Sequence, residues 1–206
     1  MKKIKIVLCV VLLFVLCGCS MKNDKKNEDT VPDEYEFLQT NIGKTSEEVK
    51  TIIGKDWTDQ SYPGVETTQF EDTDGNYYIF HGDRLAAVRY AYADQEQGFQ
   101  KCRELYEYFE KTYGEELKDS ILLNRQTLKD ITTLAEFQKV GNGESMYDVF
   151  SNWYFAEDAS QWECVSQDEE MKGVWEQSDG KPILILDLWM ADDKLSVALG
   201  YTGFPK

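Results

Sequence analysis

Twice along the chain, an apolar-alternating run, a tight acidic turn and a second run follow one another. The first unit is Tyr77 to Phe80, Gly82-Asp83, then Leu85 to Tyr92; the second is Pro182 to Met190, Ala191-Asp192-Asp193, then Lys194 to Tyr201. Connections this short join only antiparallel neighbours, because a parallel pair needs a crossover of a dozen residues or more. Much of the sequence is therefore committed to antiparallel sheet. Thr67 to Glu71 adds a strand before the first unit, and Gly173 to Gln177 reads as a strand before the second, with Ser178-Asp179-Gly180-Lys181 as its turn. Ile183 to Met190 is apolar on both alternating faces, the pattern of a central, covered strand. Leu195, Val197, Leu199 and Tyr201 alternate with smaller or polar residues, as in a half-exposed strand.

Two helices accompany these strands. Thr45-Ser46-Glu47-Glu48 is a capping box, followed by the stripe Val49, Ile52, Ile53 and a C-terminal Gly54. From Gly98 to Tyr113, residues Phe99, Cys102, Leu105, Tyr106, Phe109 and Tyr113 recur at three- and four-residue steps before Gly114. Thr127 to Lys139 reads as a third helix, and Tyr147 to Cys164 carries aromatics without a clean period. The predicted class is α+β: helix, three strands, helix, irregular middle, three strands, with helices on one face of the antiparallel sheet or sheets. One domain and two small halves fit this order equally.

The N-terminus imposes a location. Lys2, Lys3 and Lys5 precede an apolar run from Ile6 to Leu16, and then Leu16-Cys17-Gly18-Cys19. The run of about a dozen residues is shorter than the ~20 needed to span a bilayer. The pattern resembles the lipobox of bacterial lipoproteins. That resemblance implies removal of residues 1–18, a diacylglyceryl thioether on Cys19, and a cell-membrane anchor on the extracytoplasmic face. Two acyl chains, at ~0.8 kcal/mol per buried CH₂, hold stably where one is marginal. Residues 19–33 are polar and read as a disordered tether, and 34–206 as the globular part, long enough for a sizeable core.

Net charge is −16; without Lys2, Lys3 and Lys5, 19 basic residues face 38 acidic ones, a net charge of −19. This argues against nucleic acid and anionic surfaces as partners, while a solvated acidic surface accounts for most of it. With Cys9 and Cys17 removed and Cys19 lipidated, Cys102 and Cys164 remain as a candidate disulfide or as two buried thiols. Joined, they would close a loop of about sixty residues, contributing ~4 kcal/mol.

Candidate sites are few. His81 is the single histidine, which excludes multi-histidine metal sites, and its place beside Gly82-Asp83 reads as a turn. No nucleophile elbow, phosphate loop or dinucleotide fingerprint is present. Asp72-Thr73-Asp74-Gly75-Asn76 has the start of a calcium loop, but position twelve is Asp83 rather than Glu, so a hairpin turn is the better reading and no metal or cofactor is expected. The aromatics carry more weight. Tyr77, Tyr78, Tyr90, Tyr92 and Trp189 crowd presumed strands and form the candidate binding face, since Tyr and Trp join an apolar body to a polar tip. Strand neighbours point oppositely, so one of Tyr77/Tyr78 and one of Trp189/Met190 faces the core.

The run Ile42-Gly43-Lys44-Thr45-Ser46-Glu47-Glu48-Val49 with Ile52-Ile53-Gly54, then a tyrosine-rich hairpin and Gly82-Asp83-Arg84-Leu85, resembles the β-lactamase-inhibitor-protein-like domain. Small outer-membrane-assembly lipoproteins share that outline. The resemblance implies a small envelope domain presenting its sheet to another macromolecule. The expectation is a membrane-anchored, non-catalytic protein that binds a protein partner in the envelope. The alternatives are a small-ligand sensory lipoprotein and, behind it, a carboxylate-dependent envelope hydrolase.

Overall fold

In this computed structural model, which describes residues 30–117, 126–156, 158–166 and 169–206, seven strands form one antiparallel sheet. They are β1 (Trp57–Asp59), β2 (Thr67–Asp72), β3 (Tyr77–His81), β4 (Arg84–Tyr92), β5 (Met146–Tyr154), β7 (Ile183–Ala191) and β8 (Lys194–Tyr201). Their spatial order is β1-β2-β3-β4-β8-β7-β5; β6 (Trp162–Cys164) and β9 (Gly203–Pro205) pair separately. Both two-residue turns hold positive φ at both positions, Gly82-Asp83 (53° and 65°) and Asp192-Asp193 (48° and 63°). This is the type I′ geometry whose twist matches the flanking strands. Among the described residues five α-helices complete the α+β fold: α1 (Asp33–Asn41), α2 (Ser46–Ile53), α3 (Gln95–Tyr113), α4 (Leu134–Val140) and α5 (Glu169–Gln177). Val31–Lys206 is one compact unit.

Helix α3 lies across the middle of the sheet. The Asp94 carboxylate caps it, accepting from Glu96 N and Gln97 N. Its stripe of Phe99, Cys102, Leu105, Tyr106 and Phe109 is buried against Leu184, Leu186, Leu188, Leu195, Val197 and Leu199. Burying each such Phe or Leu contributes about 1.5–3 kcal/mol. The helix approaches closely at Gly98, where a Cβ would lie 2.5 Å from Leu195 Cδ2 and 2.9 Å from Tyr92 Cβ. Tyr35 and Leu38 of α1, Val49 of α2 and Phe137 of α4 join the same core. The capping box of α2 is made: Thr45 N donates to Glu48 Oε2 (2.9 Å), and Gly54 closes the helix with φ 64°.

One irregularity sets the geometry of everything on the sheet's other face. Phe80 pairs with Leu85 but Ile79 pairs with Ala87, which leaves Ala86 as a bulge in β4. The bulge reverses the facing of the rest of the strand, so Leu85 and Val88 both enter the core.

Two expectations are corrected, and of the two alternatives for the cysteines the structure takes the free thiols. Gly173 to Gln177 is not a strand but the end of α5; Gly180 N donates to Trp175 O and Asp179 and Gly180 take positive φ, a helix terminus rather than a hairpin turn. The helix expected over Thr127 to Lys139 is broken. A single 3-10 turn covers Leu128–Asp130, and α4 starts only after Thr133, whose extended backbone (φ −135°, ψ 150°) serves as N-cap. The disulfide is not made: Cys102 sits in the helix–sheet core and Cys164 in β6, paired across to Gly203 in a different layer. The irregular middle holds β5, disguised because Ser151 occupies a core position, where its Oγ accepts from Leu128 N (3.0 Å).

Candidate binding face

Alternation sorts the predicted aromatics onto two faces. Tyr78, Tyr90 and Tyr92 point toward the helices: Tyr78 OH donates to Asp72 Oδ2, Tyr90 OH to Glu34 O, and Tyr92 OH to Glu34 Oε1. Tyr77 and Trp189 lie on the opposite face, and Met190 takes the core side. The structure thus divides the five aromatics, placing two on the open face and three on the helix side, where Tyr78 is buried and Tyr90 and Tyr92 are half-buried against the core.

The pairing registers arrange the open face in cross-strand rows. The middle row is Tyr77, Arg89, Ala198, Asp187 and Phe150, on β3, β4, β8, β7 and β5 in turn. Beside it run Ala91, Ser196, Trp189 and Asp148 on one flank and Ile79, Ala87, Gly200, Ile185 and Asn152 on the other. The two central strands contribute only small residues apart from Arg89, so the face forms a trough walled by β3 and β7. At one end, between the β2–β3 and β7–β8 turns, it deepens into a depression of about 460 Å³ beside Tyr77, Arg89, Trp189 and Asp192.

Arg89 crosses the trough. Its guanidinium carbon stacks over Trp189, 3.7 Å from the ring centroid, and lies 5.6 Å from that of Tyr77. Such contacts are worth about 0.5–2 kcal/mol each. Asp187 stands in the same row with only the Ala198 methyl between. Arg89 Nε, Asp187 Oδ1 and Trp189 Nε1 are sealed from solvent without a hydrogen-bond partner, as are His81 Nδ1 and Asn152 Oδ1. Five of the eight such atoms among the described residues belong to this one face. A buried polar group left unpaired costs about 1–3 kcal/mol, and that cost is concentrated on this face.

Burial also shifts the ionisable groups of this face. Burial pushes the Asp187 carboxyl up to about 7, with Asp148 adding to the rise and Arg89 opposing it. Burial lowers Arg89, against the pull of Asp187. His81 is likewise lowered by burial, opposed by Glu66. Tyr62, in the β1–β2 connection and 67% exposed, couples electrostatically to both Tyr77 and Arg89.

The other predicted features resolve into structure. Asp72 uses both carboxylate oxygens inside its turn: Oδ1 accepts from Asp74 N and Asn76 N (2.9 Å each), Oδ2 from Asn76 Nδ2 and Tyr78 OH (3.1 Å each). Burial works against its ionisation, yet these bonds outweigh it and hold the pKa below the usual range. Cys19 lies outside the described residues.

Arg89 and Asp187 were not singled out from sequence, although a signal existed. Each is the one charge within a run of apolar residues, Leu85-Ala86-Ala87-Val88-Arg89-Tyr90 and Leu184-Ile185-Leu186-Asp187-Leu188. A charge in a central strand is rare unless it is paired or used. Comparison with known proteins adds no further guide: no family model, no characterised protein and no solved structure matches the chain.

Proposed function

We propose that the chain is a lipid-anchored, non-catalytic binding protein of the bacterial cell envelope, held at the extracytoplasmic membrane surface through Cys19. Its open sheet face receives a protein partner. The observation that supports this most is the row of Tyr77, Arg89 and Asp187 beside Trp189. Its aromatic surface and opposite charges share one trough, with Arg89 Nε, Asp187 Oδ1 and Trp189 Nε1 unpaired. Aromatic and arginine side chains of this kind are the ones that anchor interfaces. The depression of about 460 Å³ favours a small-ligand sensory protein as the second reading, since it lies within the ~300–1,000 Å³ of ordinary ligand pockets.

Both halves of the proposal have a test. Cells fed radiolabelled palmitate should label the wild-type chain and leave Cys19→Ala unlabelled; label retained on the variant refutes the anchor. Crosslinking on intact cells followed by purification should recover one stable protein partner, reduced at least tenfold by Trp189→Ala. Recovery of none, or turnover of wall glycan by the purified chain, refutes the binding role.

A further inference from the structure

Taking the binding reading as its basis, we infer that the trough holds an extended, lysine- or arginine-bearing segment of the partner, with one backbone amide bridging Arg89 and Asp187 over Ala198. Three observations carry this. The floor is two strands wide, β4 and β8, and the walls on β3 and β7 stand three strand spacings apart, about 14 Å, which admits one extended chain. The side chains rising from that floor beside Arg89 are Ala87, Ala91, Ser196 and Ala198, so a backbone can approach the sheet closely.

Next comes the chemistry of the row. A guanidinium has only donors and a carboxylate only acceptors. Arg89 and Asp187 flank Ala198 in one row and remain partly exposed; Arg89 Nε and Asp187 Oδ1 are sealed and unpaired, which leaves the outer guanidinium and carboxylate atoms to meet a ligand. A peptide unit presents an acceptor and a donor on opposite edges. Its carbonyl would face Arg89 and its N–H would face Asp187. A lone carboxylate or a lone amine meets only half of this couple.

Charge supplies the rest. Glu71, Asp74 and Asp192 outnumber Arg89 and Lys194 around the depression, and Asp148 stands beside Trp189 in the neighbouring row, on a chain of net charge −16. A cationic side chain flanking the bridged amide complements this rim and speeds encounter.

The test is a selection of random twelve-residue peptides against the full-length chain in detergent, without presupposing the partner. Enriched sequences should be rich in Lys or Arg and bind Arg89→Ala and Asp187→Asn at least tenfold more weakly. They should also bind Ala198→Leu at least tenfold more weakly; that variant fills the floor while keeping both charges. Replacing one central amide by an ester, which deletes a single N–H, should weaken binding severalfold. Melting curves identify any variant that fails to fold, and Ala198→Leu then decides. Peptides that bind all three variants like wild type, acidic enriched peptides, or no enrichment at all overturn the inference. If cell crosslinking still recovers a partner that Arg89→Ala and Ala198→Leu both retain, the binding role survives and only this site falls.

Discussion

Replacing Asp187 by Asn should stabilise the protein at alkaline pH and do little in acid. The ordinary value of the carboxyl is 3.8, and burial raises it to about 7 in the fold. Between these limits the native state keeps a proton that the unfolded chain has released. The native state thus binds more protons, and stability falls as pH rises through this window. At 1.36 kcal/mol per unit, a rise of about three units makes the charged carboxylate a liability of about 4 kcal/mol at pH 8. That figure is an upper bound, because Asp187 keeps some contact with water. Asn has the same shape and no charge, so Asp187→Asn removes the whole pH-dependent term. The proper readout is a double difference: urea denaturation of wild type and variant at pH 8 and at pH 4. Any constant effect of Asn packing cancels. The variant's advantage should be about 2–4 kcal/mol larger at pH 8 than at pH 4. A variant whose advantage is equal at both values, or that is selectively weaker at pH 8, would show that Arg89 neutralises Asp187 as a bound ion pair and that the row is a structural brace.

Three further outcomes follow from the fold. Gly98→Ala should lose about 1–3 kcal/mol in urea melts through overpacking, against the ~1 kcal/mol that helix propensity alone would add, because its Cβ would meet Leu195 and Tyr92 inside contact distance. Changing Asp192-Asp193 to Asn-Gly should raise stability by about 1 kcal/mol in the same assay, since both aspartates hold positive φ in a turn that favours Asn-Gly; an unchanged midpoint would mean that the aspartates make compensating contacts. Deleting Ala86 should preserve the fold by circular dichroism and cost only about 1 kcal/mol, the loss of its buried methyl beside Val165 and Phe204, because Leu85 stays opposite Phe80, Ala87 opposite Ile79 and Arg89 opposite Tyr77; an unfolded variant would show that the bulge itself is required.

That last case shows where sequence reasoning reached its end. The hairpin of β3 and β4 was legible, from Gly82-Asp83 and from alternation on either side, as was the helix Gln95–Tyr113 from its apolar stripe. Extending the turn's register evenly would pair Tyr77 with Val88 and put Leu85, Ala87 and Arg89 on a single face. The observed register pairs Tyr77 with Arg89. One residue of slippage exchanges the two faces, so the candidate site depends on a bulge at an alanine that carries no turn or glycine signal. The nearest clue is the neighbouring pair Val88-Arg89: burying the valine and freeing the arginine is much the cheaper choice, and only a bulge between Leu85 and Val88 allows both apolar residues inward. A similar physical cause hid β5, whose core positions include Ser151, acceptable there because it receives the Leu128 N–H. In both places the local pattern breaks at a polar group: Ser151 keeps a core position because it accepts the Leu128 N–H, and Arg89 escapes the core because the bulge turns it to the open face.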